Sequence, residues 1–438
     1  MPALSKLLTR SAKHLFLRSL EGFSQGFLEI VCPDRTYAFG DHESQLSGLV
    51  EIHNERFFQR ALLGGDIGIG ESYMDGDWSS PDLVTVVRLA LRNAELLDDR
   101  NRALSALCRW LETLRFRLQS NSLAGSRRNI RAHYDLGNEF FRLFLDRNLL
   151  YSCPFYLNEN DSLEQAQVEK LDRICRKLRI GPRDHVLEIG TGWGAFAIHA
   201  ARNYGCRVTT TTISQKQHEY SAALLQSARD VRHQVQLLSQ DYRELRGHYD
   251  KIVSIEMFEA VGYEYYDEFF HTCDRLLAPN GTMLLQTITM NDQRFERYRK
   301  KTDWMQKYIF PGSQLASLSG VLRSLARTTN LSLFHAEDIG THYARALREW
   351  RARFLENLAA VRAHGFSERF IHMWDFYLAW CTGSFLERYT SDLQLLLAKN
   401  FSRRSLLGEP WRSEDDFALP SNVREPECVD SPIKSCRA

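Results

Sequence analysis

Val186-Leu187-Glu188-Ile189-Gly190-Thr191-Gly192-Trp193-Gly194 decides the fold. Val186 to Ile189 is short, apolar and β-branched, which predicts a buried strand rather than the start of a helix. Gly190, Gly192 and Gly194 supply a turn where the backbone bends tightly and a ligand can approach without meeting a Cβ. The run from Ala195 to Ala201 predicts a helix. Strand, glycine turn and helix N-terminus in that order make a nucleotide-type site at the carboxyl end of a parallel sheet. The same spacing fits a dinucleotide fold, and an ordinary tight βα turn would look alike.

Outward from that stretch, strands are expected at 185–189, 207–213, 235–239, 251–256 and 282–288, with helices between them. This is an α/β doubly wound pattern with right-handed crossovers. Upstream, Asp161-Ser162-Leu163-Glu164 resembles a helix cap, and Ala166, Leu171, Ile174 and Leu178 face inward before Gly181-Pro182. Downstream, 291–390 is largely helical and aromatic, broken at Phe310-Pro311-Gly312, and Asp392 to Phe401 fits a last strand. The tail 402–438 has no periodicity and is expected to be disordered.

Residues 1–125 look like a separate unit. Phe27 to Phe39 is strand-like, and Ala61 to Gly70 is expected to be a glycine-broken turn region. Ser80 is expected to cap a helix with Pro81 in its first turn, and Leu83, Val87, Leu91 and Ala94 line one face. A basic and apolar helix follows, with Arg102, Arg109, Arg115 and Arg117 among leucines, and Arg127, Arg128 and Arg131 extend the charge. It is either a solvated face or a patch for phospholipid head groups, whose phosphates match arginine forks.

The 438 residues are 44% hydrophobic and 25% charged, with a net charge of +1, so no global field favours nucleic acid. Nine scattered cysteines form no metal spacing and suit a reducing, cytoplasmic interior. No apolar run is long enough to span a bilayer. Lys6, Arg10, Lys13 and Arg18 among leucines suggest an amphipathic surface helix or a transit peptide.

Three further segments carry chemistry. Thr211-Thr212-Ile213-Ser214-Gln215-Lys216-Gln217 follows the second strand without the acid a dinucleotide-binding dehydrogenase places there, and Gln217 is the polar substitute. Gln240-Asp241-Tyr242 ends the third strand with a carboxylate and a ring, suited to an adenine amino group and its face; a helix N-cap is the other role open to Asp241. Glu256 and Glu259 end the fourth strand three residues apart and can both face a cleft on the first helical turn, although one facing solvent is the more cautious expectation.

These blocks, with His133-Tyr134-Asp135-Leu136-Gly137-Asn138, Tyr151-Ser152-Cys153, Met257-Phe258-Glu259 and Lys307-Tyr308-Ile309-Phe310-Pro311-Gly312, resemble the cyclopropane-fatty-acyl-phospholipid synthases and the mycolic acid cyclopropane synthases. The likeness covers about 130–400 in order, and residues 1–125 resemble less specifically the extra N-terminal domain of the phospholipid-acting members. It implies a class I methyltransferase fold, Rossmann-like with a seven-stranded sheet, over 126–401, with a helical acyl-binding cover. It implies S-adenosylmethionine as cofactor, held by Tyr151, Ser152, Gly190, Thr191, Gly192, Trp193, Gly194, Thr212, Ile213, Ser214, Gln217, Asp241 and Tyr242.

The alkene of an unsaturated acyl chain would take the methyl group, and a base would then remove a proton to close a three-membered ring. The resemblance implies a bound bicarbonate as that base, held at Cys153, Glu259, Ile288 (through its backbone) and Tyr343. Cys381 matches a cysteine once proposed as catalytic in the family, although a thiol among helical aromatics favours packing. Gln286 stands where the family often has a histidine that helps to hold the anion, and Ala260 replaces a frequent histidine after the glutamate. Both departures leave a methyl- or methylene-branched product open beside the ring.

The expected protein is therefore a lipid-modifying enzyme at the inner face of a membrane, peripherally attached, dimeric, and acting on a phospholipid with an unsaturated acyl chain. A small-molecule methyltransferase, a nicotinamide dehydrogenase and a non-catalytic lipid-transfer protein are the competing classes.

Overall fold

The computed structural model describes residues 2–96 and 136–400. The basic segment from Arg102 to Arg131, the block His133-Tyr134-Asp135 and the tail from Ser402 lie outside the described residues.

The N-terminal part is a helix, α1 (Pro2–Ser19), followed by strands β1 (Phe27–Val31), β2 (Thr36–Gly40) and β3 (Ser47–Ile52), helix α2 (Arg56–Met74), the short strand β4 (Trp78–Ser79) and helix α3 (Leu83–Arg92). The strands form one sheet in the order β2-β1-β3-β4. Three expectations are corrected here. Phe27 to Phe39 is two antiparallel strands, turning where the Cys32 N–H donates to the Arg35 carbonyl. Ala61 to Gly70 is helical within α2, kinked at Gly65 (φ 58°). Burial of Phe57, Phe58, Ala61, Leu62 and Ile67 outweighs the poor helix propensity of the glycines. Gly70 is required by packing, because a Cβ there would lie 2.4 Å from the Trp304 indole. The cap of α3 is Asp82 rather than Ser80, since its side chain accepts from the Thr85 N–H at 3.1 Å. On α1, Lys13 points inward to Asp34 and Glu55, while Leu8 and Leu15 stay exposed.

The second sheet contains β5 (His185–Ile189), β6 (Arg207–Thr211), β7 (Val235–Leu238), β8 (Tyr249–Ile255), β9 (Leu277–Met290), β10 (Leu331–Asp338) and β11 (Thr390–Lys399). Their order is β10-β11-β9-β8-β5-β6-β7. The run from β9 to β7 is parallel, and β11 is antiparallel to both β9 and β10. The chain moves outward from β5 to β7, then returns to β8 on the other side of β5. A crevice opens where the order reverses, outside the carboxyl ends of β5 and β8. Strand β10 falls in the stretch expected to be helical.

The Glu368–Leu386 helix ties the two sheets together. Gly383 abuts Val87 of α3, the Tyr73 hydroxyl donates to Asp375 at 2.6 Å, and Arg88 and Arg92 both reach Glu387 at 2.6 Å. One continuous core includes Phe58, Phe141, Trp350 and Trp374. The expected cap at Ser162 forms a full capping box with Gln165, opening the Leu163–Leu178 helix.

Candidate active site

Strand β5 delivers Gly190 to the crevice, where Gly190 and Thr191 donate their N–H groups to the Thr211 carbonyl at 3.1 Å. A cavity of about 180 Å³ lies over this turn. Its walls include Tyr151, Ser152, Gly190, Thr191, Gly192, Trp193, Thr212, Ile213, Gln217, Asp241 and Tyr242. Gly194 and Ser214 do not line it: Gly194 packs on Ser221, and Ser214 caps the Gln215–Ser227 helix. Asp241 accepts from the Arg243 guanidinium at 2.7 and 2.8 Å and from the Arg243 N–H, so it caps a turn while forming part of the wall. Lys170, fully buried, donates to the Ser152 hydroxyl at 2.7 Å. Nothing lies within 4 Å of where a Cβ on Gly192 would sit (φ +54°), and the walls mix rings, hydroxyls and carboxylates. Such a lining suits S-adenosylmethionine, which needs an aromatic and polar bed for adenosine and negative charge near its sulfonium.

A second, larger cavity of about 700 Å³ runs from beneath the first sheet, past Phe16, Leu28 and Leu91, to Ile288, Phe310, Tyr343 and Tyr377. It is mostly apolar. The two cavities share Tyr151, Glu256 and Ala260.

Around that junction the expected residues separate. The Cys153 backbone N–H donates to Glu256 Oε1 at 2.7 Å, while its thiol points to the carbonyls of Pro154 and Ile339. Burial pushes that thiol well up, so it is no nucleophile. The Tyr343 hydroxyl donates to Glu256 Oε2 at 2.8 Å. Gln286 sits behind the cavities, fully buried, and donates to Glu256 Oε1 at 2.9 Å and to Asp392 Oδ2 at 2.8 Å. Glu259 accepts from the Ile288 N–H at 2.5 Å and the Thr287 hydroxyl at 2.9 Å, and its Oε2 is buried without a hydrogen-bond partner. Burial, with Glu256 nearby, lifts its carboxyl to about 8. Cys381 lines the larger cavity, and burial holds its thiol protonated.

The expectation that one of Glu256 and Glu259 faces solvent is corrected: both turn inward to line the larger cavity, and Glu256 borders the smaller one as well. Sequence reasoning gave no role to Glu256, Lys170 or Asp392. For Glu256 the three-residue spacing to Glu259 was the available signal. Lys170 and Asp392 sit on a distant helix and strand, so no local pattern marks them.

Glu188, buried in β5, accepts from the Thr210 hydroxyl at 2.6 Å, and burial raises its carboxyl from 4.5 to about 8. The folded state therefore holds a proton that the unfolded chain has lost between pH 4.5 and 8. Stability from this group is complete below the lower value and disappears as pH rises through the upper one. Glu188→Gln, which mimics the neutral acid, is expected to flatten the fall in melting temperature across that range, a change of roughly 3–6 kcal/mol. Thermal unfolding as a function of pH checks it; an unaltered slope would contradict the assignment.

A mostly parallel sheet with a glycine turn and a cavity over its carboxyl edge places the chain among the α/β enzymes that bind a nucleotide-type cofactor, the class to which S-adenosylmethionine-dependent methyltransferases belong. The family profile described as mycolic acid cyclopropane synthetase matches residues 121–395, and the chain belongs to that family. It is 34% identical over 406 residues to the tuberculostearic acid methyltransferase UfaA1 of Mycobacterium tuberculosis, covering 90% of each chain. It is 37% identical over 351 residues to the cyclopropane-fatty-acyl-phospholipid synthase of Escherichia coli, covering 79% of this chain and 86% of the other. Among solved structures, the mycolic acid cyclopropane synthase CmaA1 complexed with SAH and CTAB superposes with a TM-score of 0.58 at 31% identity, over 62% of this chain and 98% of that one. The resemblance read from the motifs is thus shown, and with it the fold class and the methyltransferase activity on lipids.

Proposed function

We propose that the protein methylates the double bond of an unsaturated acyl chain carried by a phospholipid and converts the product to a cyclopropane ring. The observation that carries this reading is the junction: a mostly apolar cavity of about 700 Å³ meets the cavity over the glycine turn at Tyr151, Glu256 and Ala260. Tyr151, Ser152, Gly190–Trp193, Thr212, Ile213, Gln217, Asp241 and Tyr242 would hold the cofactor. Bound there, S-adenosylmethionine supplies an activated methyl group to the alkene. The chain does the rest. The rings of Tyr151, Phe310, Tyr343 and Tyr377 face the larger cavity, where they stabilise positive charge on the acyl chain and keep water away. The Tyr151 and Tyr377 hydroxyls bond to each other at 2.7 Å, which fixes both rings. The lipid approaches from a membrane surface, toward which Leu8 and Leu15 of α1 remain exposed. Among the described residues no helix is long and apolar enough to cross a membrane.

A branched product is the second reading, favoured by Gln286 and Ala260 in place of the family histidines and by the similarity to a tuberculostearic acid methyltransferase. Expression of the protein in cells fed isotope-labelled methionine tests both. A labelled one-carbon addition to acyl chains is expected, and fragmentation or NMR distinguishes the ring from a branch. Acyl chains without label would overturn the function and leave lipid transfer as the explanation.

A further inference from the structure

Glu256 follows directly on β8, at the point shared by both cavities. Its backbone has φ 46°, a left-handed conformation that costs a non-glycine residue of order 1–3 kcal/mol and persists only where the surroundings impose it. The surroundings here are donors. The Cys153 N–H and Gln286 amide converge on Oε1, and the Tyr343 hydroxyl reaches Oε2. These donors hold the carboxylate in place where it borders both cavities, so it stands beside the position where acyl chain and cofactor meet.

Asp392 is hydrogen-bonded to Glu256 as well. Burial lifts both carboxyls, but Asp392 faces two glutamates and is the one held protonated, whereas three donors and the charge of Lys170 favour ionised Glu256. The pair therefore carries one proton and one charge.

Bicarbonate does not fit this arrangement. The groups expected to cradle it, at Cys153, Tyr343 and Gln286, already hold a carboxylate of the chain, and the Ile288 N–H is bonded to Glu259. A further anion beside the ionised Glu256 would be repelled in a medium that screens poorly.

We propose that Glu256 is the proton acceptor of the reaction and that the enzyme works without bicarbonate. The inference rests on the methyl-transfer reading above. Once methylated, the acyl chain carries a cationic carbon. A C–H bond breaks, either on the new methyl group or on the chain carbon next to the cation. Its electron pair closes the ring in the first case and forms a double bond in the second. The proton bonds to the Glu256 carboxylate, giving a neutral acid that returns its proton to water after the product leaves. Charge and atoms balance with no further reactant.

The test uses the full chain, S-adenosylmethionine and vesicles of a mono-unsaturated phospholipid, in buffer stripped of carbon dioxide or supplemented with bicarbonate. Wild-type turnover is expected to be equal in both. Glu256→Gln should lose about 100-fold or more in turnover, the size of a lost general base, while S-adenosylmethionine binding remains measurable by calorimetry. Glu256→Gly relieves the strained backbone and vacates the donors. It should bind bicarbonate by calorimetry, where the wild type does not, and recover turnover when bicarbonate is added. A wild type that requires bicarbonate, or a fully active Glu256→Gln, overturns the proposal while the methyltransferase function stands. A wild type that makes no methylated lipid in either buffer overturns the functional reading on which it rests.

Discussion

Replacing Ala260 with phenylalanine is expected to lower methyl transfer by about 100-fold or more, the loss that follows when reacting groups are displaced by about 1 Å. Ala260 borders both cavities, together with Tyr151 and Glu256. It lies on the single helical turn Phe258–Ala260, whose backbone is anchored by the Ala260 N–H to the Met257 carbonyl at 3.0 Å. A benzyl group there would occupy the space where alkene and methyl group must meet, without removing any hydrogen bond from the turn. The fold should therefore survive, with a melting temperature close to that of the wild type. Ala260→Ser adds one small atom and should keep most of the activity. Turnover on a mono-unsaturated phospholipid, with thermal unfolding as control, decides the matter. A fully active Ala260→Phe would mean that chain and cofactor meet elsewhere.

The residues that were legible in the sequence share a physical reason. Strands β5 and β8 are buried on both faces, so Val186 to Ile189 and Ile252 to Ile255 read as largely apolar runs broken only by Glu188 and Ser254, and the glycines after β5 admit few other roles. Strand β10 escaped because it is an edge strand with a half-exposed face, where Phe334 is 45% exposed, and it follows directly on a helix. The glycines of α2 misled because their cause is remote: Gly70 makes room for Trp304, far along the chain.

The site divides in the same way. Cys153 drew attention as a thiol, yet the structure uses its backbone N–H, and backbone donors leave no trace in residue type. Glu256 was visible as a carboxylate but not as the centre, since its partners Cys153, Gln286, Tyr343 and Asp392 come from separate parts of the chain. Sequence spacing reports neighbours on one element. It cannot report convergence from four.

That convergence makes Gln286 the residue whose loss should be felt most widely. Its amide nitrogen bridges Glu256 and Asp392, and its oxygen accepts from the Gln394 amide at 3.0 Å. Gln394 in turn accepts from Lys177 at 2.6 Å, and Lys177 is paired with Glu337. A chain of buried polar contacts therefore runs from the junction to the edge of the sheet. Gln286→Leu matches the side chain in size but leaves two carboxyls without the donor between them and one amide without its acceptor. Removing one partner of a buried charged group costs about 3–5 kcal/mol, far more than the transfer of leucine to the interior returns. The expected result is a clear drop in melting temperature together with a loss of turnover, because Glu256 is freed from one of the groups that aim it. Gln286→His should separate the two effects. An imidazolium can donate to both carboxyls, so turnover should be largely kept, but it offers Gln394 no acceptor, so part of the stability should still be missing. Thermal unfolding and turnover on all three proteins measure this. A leucine variant as stable as the wild type would show that the bridge between Glu256 and Asp392 contributes little to holding the site together.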